Sequence, residues 1–275
     1  MSYTFLPGQL YRMPTHFGPL MGPRQSPDGR HFDCVNSPET TSLSVSFKTN
    51  PEQLQALLPE CFALGQEPIV TVNSSHMKNI QWLAGRGYAM LGVSFPATFH
   101  GKQDNVQGSF LSVLWENLCD PIITGREELG FAKVYSEISE PEITQHTAKV
   151  TASWQGFDFL NLTLTNLQAV SEPAERKDDN FAGLLHYKYI PKTGEWGEAD
   201  IAYPTLSPVA GSNTRIIKSL SGAGELNWKK ARWEDLPTLF NIVNTLADLE
   251  ILEYTSGSLA YTIGSDDLKD QRILY

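Results

Sequence analysis

The stretch Trp115-Glu116-Asn117-Leu118-Cys119-Asp120-Pro121-Ile122-Ile123-Thr124-Gly125-Arg126-Glu127-Glu128-Leu129-Gly130-Phe131-Ala132-Lys133-Val134-Tyr135-Ser136-Glu137-Ile138 decides how the chain is read. It begins as the end of a strand, passes through a single short helical turn and leaves as a second strand. Lys133 opens that second strand, with Phe131, Ala132 and Val134 around it and Arg126 seven residues back. Apolar surroundings and a nearby guanidinium both favour the neutral, nucleophilic form of an amine. The plain alternative is a solvated lysine at a strand edge, because lysines are seldom buried.

Working outward, residues 108–116 form a long strand that feeds this stretch, and 87–95 and 68–73 are strands before it. Residues 42–49 alternate polar and apolar, the mark of a half-buried strand. Asn50-Pro51-Glu52 starts a short helix, with Asn50 as cap, Pro51 in the first helical position and an acid in the first turn. Leu54, Leu57 and Leu58 make its apolar face, and Pro59 stops it. Residues 96–107 read as a polar connection. Downstream, 146–154 and 157–164 form a hairpin around Gln155-Gly156, and 171–180 form a charged surface loop. Residues 184–190, 215–220 and 224–229 are further strands. The sustained helical period spans 233–249, where Leu236, Leu239, Phe240, Val243, Leu246 and Leu249 keep to one side. A last strand covers 251–263, and 265–275 is a mostly polar tail.

Residues 1–40 are broken by prolines and glycines, yet carry Tyr3, Phe5, Leu10, Tyr11, Met13, Phe17 and Met21. They predict an extended arm laid on the body or on a neighbouring subunit, and hence a homo-oligomer. About ten strands and two helices, without regular strand–helix alternation, predict one mostly β (α+β) antiparallel domain over 1–275. One helix in the C-terminal half is long and the other is short.

Composition narrows the function. With 41% hydrophobic and 19% charged residues, the chain of 275 residues reads as a folded protein with a large core. A net charge of -10 without a basic run makes nucleic acid and anionic membrane poor partners. No apolar stretch approaches the ~20 residues of a membrane span. The first residues show no charged-then-apolar leader, so a cytoplasmic protein with reduced Cys34, Cys61 and Cys119 is expected. The six histidines show no ligand spacing, and no metal site is predicted. A phosphate-loop glycine motif and a Gly-x-Ser-x-Gly elbow are both lacking.

Gly125-Arg126-Glu127, four residues, then Ala132-Lys133 resembles the signature of the acetoacetate decarboxylase superfamily, where Pro-Lys follows the four residues; Ala132 replaces the proline. Residues 11–19, from Tyr11 to Pro19, resemble the family's entry segment. Lys48-Thr49 before the Asn50 helix, Leu58-Pro59 and Glu67-Pro68-Ile69-Val70 fall in family order. So do Ala247-Asp248-Leu249 and Ile251-Leu252-Glu253. The resemblance implies a closed antiparallel β-cone or barrel around a pocket, with Lys133 as the Schiff-base lysine. That amine attacks a ketone carbonyl, loses water and becomes an iminium, which accepts the electron pair released at the neighbouring carbon. The implied function is a cofactor-free lyase acting on a small β-keto or α-keto acid. Two alternatives are an aldolase-dehydratase using pyruvate and an aldehyde, and a non-catalytic barrel that binds a small molecule.

The transfer is partial. The family's second basic residue is Val134 here, a pocket arginine becomes Thr40, and two pocket acids become Asn73 and Met90. The electron-sink half is therefore kept and the half that steers a carboxylate is rewritten. Arg126 either holds a substrate carboxylate in a bidentate fork or forms a salt bridge with Glu127, Glu116 or Glu253. Candidate proton shuttles are Glu116, Glu253, Tyr254 and Tyr88. Glu253 is favoured because it resembles the acid after the family's late helix, and its plain alternative is a surface acid. Alternation along a strand forbids Glu253 and Tyr254 from both pointing inward. Tyr88, Met90, Trp115 and Phe131 complete the expected substrate-binding wall.

Overall fold

The computed structural model describes residues 4–20, 26–170 and 180–275. Most of the expected 171–180 loop therefore lies outside the described residues, as do Tyr3 and Met21 of the arm. The elements in chain order are β1 (Glu39–Lys48), α1 (Pro51–Gln55), β2 (Phe62–Leu64), β3 (Ile69–Ile80), β4 (Arg86–His100) and β5 (Asn105–Glu116). Next come α2 (Cys119–Thr124), a π-turn (Gly125–Leu129), β6 (Lys133–Tyr135), β7 (Glu137–Ile138), β8 (Glu142–Ile143), β9 (Ala148–Trp154) and β10 (Phe157–Ala169). The chain ends with β11 (Phe181–Pro191), β12 (Ala199–Pro208), β13 (Arg215–Trp228), α3 (Phe240–Ala247), β14 (Glu253–Ile263) and β15 (Arg272–Ile273). The expected mostly β class is observed.

Among the described residues all fifteen strands belong to one sheet: twelve follow the order β15-β12-β11-β5-β4-β3-β1-β14-β13-β10-β9-β7, while β2 pairs with β4, β6 with β5 and β8 with β9. That path does not return to its start, which corrects the expected closed cone or barrel. The break falls at Ser136. Its N–H donates to the Glu116 carbonyl at 3.1 Å. On one side of it β6 lies parallel to the end of β5, and on the other β7 lies antiparallel to β9. The segment is a strap between two strands, not a strand shared by both. β11 lies parallel to the other end of β5, so both parallel pairings sit on that strand.

Alternation sorts the side chains. Leu43, Val45 and Phe47 of β1 are buried. Trp115 is fully buried in the core, 5.4 Å from Phe159 and 6.2 Å from Trp228 between ring centroids. The next residue, Glu116, faces the other way. The Gln155-Gly156 turn has φ of 49° and 84°, the two positive values of a type I′ hairpin. Asn50 caps α1 as expected, its Oδ1 accepting the Glu52 N–H at 2.9 Å.

Three expectations change. The expected polar connection over 96–107 is largely strand, because Ala97 and Phe99 continue the buried alternation. Pro96 is tolerated because β4 exchanges its neighbour there: Ser94 still faces β3, while Ala97 already faces β2. The expected helix over 233–249 shrinks to α3. Pro237 has no N–H to give and its ring clashes with the carbonyl a turn earlier. The preceding residues turn instead, while Leu236, Val243, Leu246 and Leu249 are still buried as the periodicity implies. Asn244 ties α3 down, its Oδ1 accepting from the Ala231 N–H at 2.8 Å and its Nδ2 donating to the Ala231 carbonyl at 2.9 Å. Finally, the polar tail is fastened. Arg272–Ile273 pairs with β12, and the Tyr275 carbonyl accepts from the N–H groups of Gln103 and Asp104, each at 2.8 Å.

Replacing Trp115 by Ala removes the ring at the centre of this core. Denaturant unfolding should record a loss of about 3–5 kcal/mol, as for other large-to-small core substitutions.

Candidate active site

Three elements build the site: the ends of β4 and β5 and the turn that leads into β6. On β5, Leu114 and Glu116 share the face opposite Trp115. Met90 stands across the ladder from Glu116, and Tyr88 follows it on the same face of β4. Parallel pairing sets Lys133 beside Leu114. Its Nζ then lies 2.8 Å from Glu116 Oε1 and donates to the Pro121 carbonyl at 3.1 Å. The Phe131 ring centroid is 5.3 Å from that amine. Lys133 is 8% exposed and Glu116 0%, so the pair is withdrawn from water. Glu116 Oε2 has no hydrogen-bond partner among the described residues.

The turn is shaped around the lysine. α2 runs on into the π-turn, which ends at Gly130 with φ 83°. A Cβ on Gly125 would lie 2.4 Å from Lys133 Cδ and 2.8 Å from its Nζ. The Gly125 backbone is helical, so the glycine is there for the lysine's passage and not for a special φ. Arg126 is exposed and donates through Nη1 to the Lys133 carbonyl at 2.8 Å, pinning the turn to the strand. From the N-terminal arm, Arg12 donates to Thr124 Oγ1, and its Nε pairs with Glu128 Oε1 at 3.3 Å. The arm is thereby docked against α2.

Lys133 and Glu116 open onto a cavity of about 440 Å³. Tyr88, Met90, Leu114 and Phe131 form part of its wall, and Trp82 and Phe32 reach it from loops. Its electrostatics follow from burial. The Glu116 carboxyl is pushed above the usual carboxylate range by burial, with the Lys133 amine pulling the other way. The Tyr88 phenol is raised by burial and secondarily by Glu116, and stays a neutral O–H. His186 is lowered to about 3, first by burial and then by the Lys133 amine. It stacks near Phe131, with 4.1 Å between ring centroids, and its Nε2 lies 3.0 Å from Ser207 Oγ. A histidine held so far below neutrality is a poor base, so Ser207 is not set up as a nucleophile. The Asp266 carboxyl, also on the cavity wall, is raised by burial.

Of the residues expected from sequence, Lys133, Glu116, Tyr88, Met90 and Phe131 are brought together at the cavity. The others are not. Trp115 lies on the core face of β5. Arg126 is bonded to main chain outside the cavity lining. Thr40 lies across from Met77 on the ladder but does not line the cavity. Asn73 is used by its neighbours, its Nδ2 donating to Ser44 Oγ at 2.5 Å and its Oδ1 accepting from Ser75 Oγ at 2.8 Å. Glu253 is exposed and pairs with Lys48 at one end of β14, whereas the cavity adjoins the other end, near Ser265. Ten residues of strand, about 30 Å, separate them. Tyr254 is engaged with the main chain of Leu226. Sequence reasoning missed His186, Ser207 and Asp266, which come from distant strands and the tail. Nothing in their local sequence marks them. Among the described residues no three His, Cys, Asp or Glu side chains group as metal ligands, and no helix is long and apolar enough to cross a membrane.

A mostly β sheet that buries a lysine against a carboxylate on an apolar cavity defines the class. The family model described as acetoacetate decarboxylase matches residues 12–270, and the chain belongs to that family. Three solved structures share the fold. An acetoacetate decarboxylase has a TM-score of 0.67 at 17% identity, covering 86% of this chain and 87% of its own. The enzyme from Legionella pneumophila subsp. pneumophila has a TM-score of 0.64 at 17% identity, covering 90% of this chain and 92% of its own. The enduracididine biosynthesis enzyme MppR has a TM-score of 0.64 at 17% identity, covering 99% of this chain and 98% of its own. A search of curated protein sequences finds no significant match.

Gly125→Ala should keep the fold by circular dichroism yet slow chemical modification of Lys133 at least tenfold, because the new methyl group occupies the lysine's path. The His186 shift gives a second expectation. Unfolding restores an ordinary histidine, which takes up a proton below pH 6.5. Stability contributed by the buried neutral ring is therefore complete above pH 6.5 and lost as the pH falls toward 3. Denaturant unfolding across that window should find a steeper loss in the wild type than in His186→Gln.

Proposed function

We propose that this protein is a Schiff-base lyase in which Lys133 is the nucleophile and Glu116 the proton acceptor. The observation that carries the reading is the buried Nζ, 2.8 Å from the Glu116 carboxylate on the wall of an apolar cavity. The family supports it, since its solved relatives include named decarboxylases.

The chemistry runs as follows. Glu116 takes a proton from the ammonium, and the freed lone pair attacks a ketone or aldehyde carbonyl. The C=O electron pair moves to oxygen, which leaves as water after protonation, and the nitrogen becomes an iminium. Glu116, again a carboxylate, then removes a proton from the neighbouring carbon. The C–H pair becomes a C=C bond and the iminium pair returns to nitrogen, giving a neutral enamine. Run forward onto an aldehyde, the enamine forms a carbon–carbon bond; run in reverse, the bond breaks. Burial favours this path, because it keeps water from the iminium and disfavours two separated charges.

Decarboxylation of a β-keto acid would use the same iminium but needs a group to hold the leaving carboxylate. Of the described residues on the cavity wall Lys133 is the cationic one, and apolar Met90 stands across from Glu116, which favours the aldol-type branch. The neighbour MppR, solved with pyruvate and with a condensation product of pyruvate and imidazole 4-carboxaldehyde, lends weight to that branch for this chain.

The test is reductive trapping. Cyanoborohydride with a panel of ketones, aldehydes and oxo acids should yield a mass adduct that peptide mapping assigns to Lys133, and Lys133→Met should abolish it. Absence of an adduct with every carbonyl tried would overturn the reading. Glu116→Gln should still form the iminium but slow exchange of the neighbouring C–H proton for deuterium by about 10²–10⁴-fold.

A further inference from the structure

We infer that the substrate of this site is an uncharged ketone or aldehyde with a sizeable apolar, aromatic-sized body, and not a small oxo acid. The inference rests on the Schiff-base reading of Lys133 and specifies what that amine meets.

The first argument is charge. Of the described residues on the cavity wall, Lys133 is the cationic one, and its amine is already matched by Glu116 at 2.8 Å. Two further acids, Asp266 and Asp267, are on the wall. The neighbouring cations are committed elsewhere. Arg12 is held by Thr124 and Glu128, Arg126 by the Lys133 carbonyl, and Lys188 donates through Nζ to the Glu128 carbonyl at 3.2 Å. A substrate carboxylate would enter without a partner and beside like charges, which is costly in an apolar site.

The second argument is fit. A cavity of about 440 Å³ has far more room than a three- or four-carbon acid fills. Aromatic walls from Phe32, Trp82, Tyr88 and Phe131 suit a flat or long apolar body. Apart from the two aspartates, the other polar side chains on the wall, among them the Tyr88 phenol and the hydroxyls of Ser207, Ser212, Thr214 and Ser265, are neutral and suit a neutral oxygen on the substrate. The departure at Met90, which stands on the cavity wall across from Glu116, agrees with a change of substrate from one with a carboxylate to one without.

The experiment compares two probes with the same skeleton. These are 4-phenylbutan-2-one, which is neutral, and 2-oxo-4-phenylbutanoate, which adds a carboxylate at the carbonyl. Each is trapped with cyanoborohydride on the full-length protein at neutral pH, and the yield on Lys133 is divided by the yield on Nα-acetyl-lysine. That division removes the higher intrinsic reactivity of the oxo acid. The expected result is a normalised preference of at least tenfold for the neutral ketone. Equal or greater labelling by the oxo acid, or by acetoacetate or pyruvate measured in the same way, would overturn the inference while leaving the Schiff-base reading in place. Failure of every probe to label Lys133 would overturn both. Met90→Arg supplies a cation on the wall across from Glu116 and should shift the ratio toward the oxo acid at least tenfold. If that variant does not fold, Leu114→Lys makes the same change one ladder step away, and the wild-type ratio decides the matter by itself.

Discussion

The contact between Lys133 and Glu116 is the constraint on which the site depends. Neither charge is tolerable in that interior without the other, since desolvation costs several kcal/mol for each ion. Two parallel strand ends supply the pair, with Lys133 beside Leu114 and Glu116 two residues further on. Such a pair is weak evidence for stability, because an apolar pair of similar volume would serve a core as well. Its presence at a cavity wall places a proton acceptor in direct contact with the amine, as the proposed Schiff-base chemistry requires.

The surroundings act to hold that contact in one geometry. Gly125 leaves the path for the lysine side chain, and the Pro121 carbonyl receives one of its protons. Arg126 locks the turn onto β6 through the Lys133 carbonyl, and Arg12 brings the N-terminal arm against α2. Ser136 ends β6 and redirects the chain to β9, so the lysine sits on a short strap fastened at both ends. An arginine two turns from a reactive amine invites a role in binding substrate, but here its structural use is the one observed. The polar residues at Asn73, Ser75, Ser42 and Ser44 bond to one another along β1 and β3 instead of facing the cavity.

Much of the fold was legible in the chain. Alternation in β1, the Asn50 cap and the Gln155-Gly156 turn are local signals, and the structure has each where the sequence places it. The short signature from Gly125 to Lys133 picks out the buried amine on the cavity wall because the turn that positions it is contiguous. Errors arose where a local sign conflicts with its neighbourhood. Pro96 looked like a strand end, but it sits where β4 changes partners. The apolar period at 233–249 looked like one helix, but Pro237 allows burial without helix. Glu253 was read from its place after a helix, and strand length then carries it about 30 Å from the amine.

The sequence by itself determined the mostly β class, the family and the candidate lysine, because these depend on residues close together in the chain. Tertiary structure alone decided which side chains share the cavity. Glu116 and Trp115 are adjacent, yet one faces the amine and the other the core, an outcome set by the pairing of β4, β5 and β6. His186, Ser207 and Asp266 arrive from strands and a tail more than fifty residues beyond Lys133. Long-range register, which no local pattern encodes, brings them there and leaves Lys133 in contact with Glu116 on the wall they share.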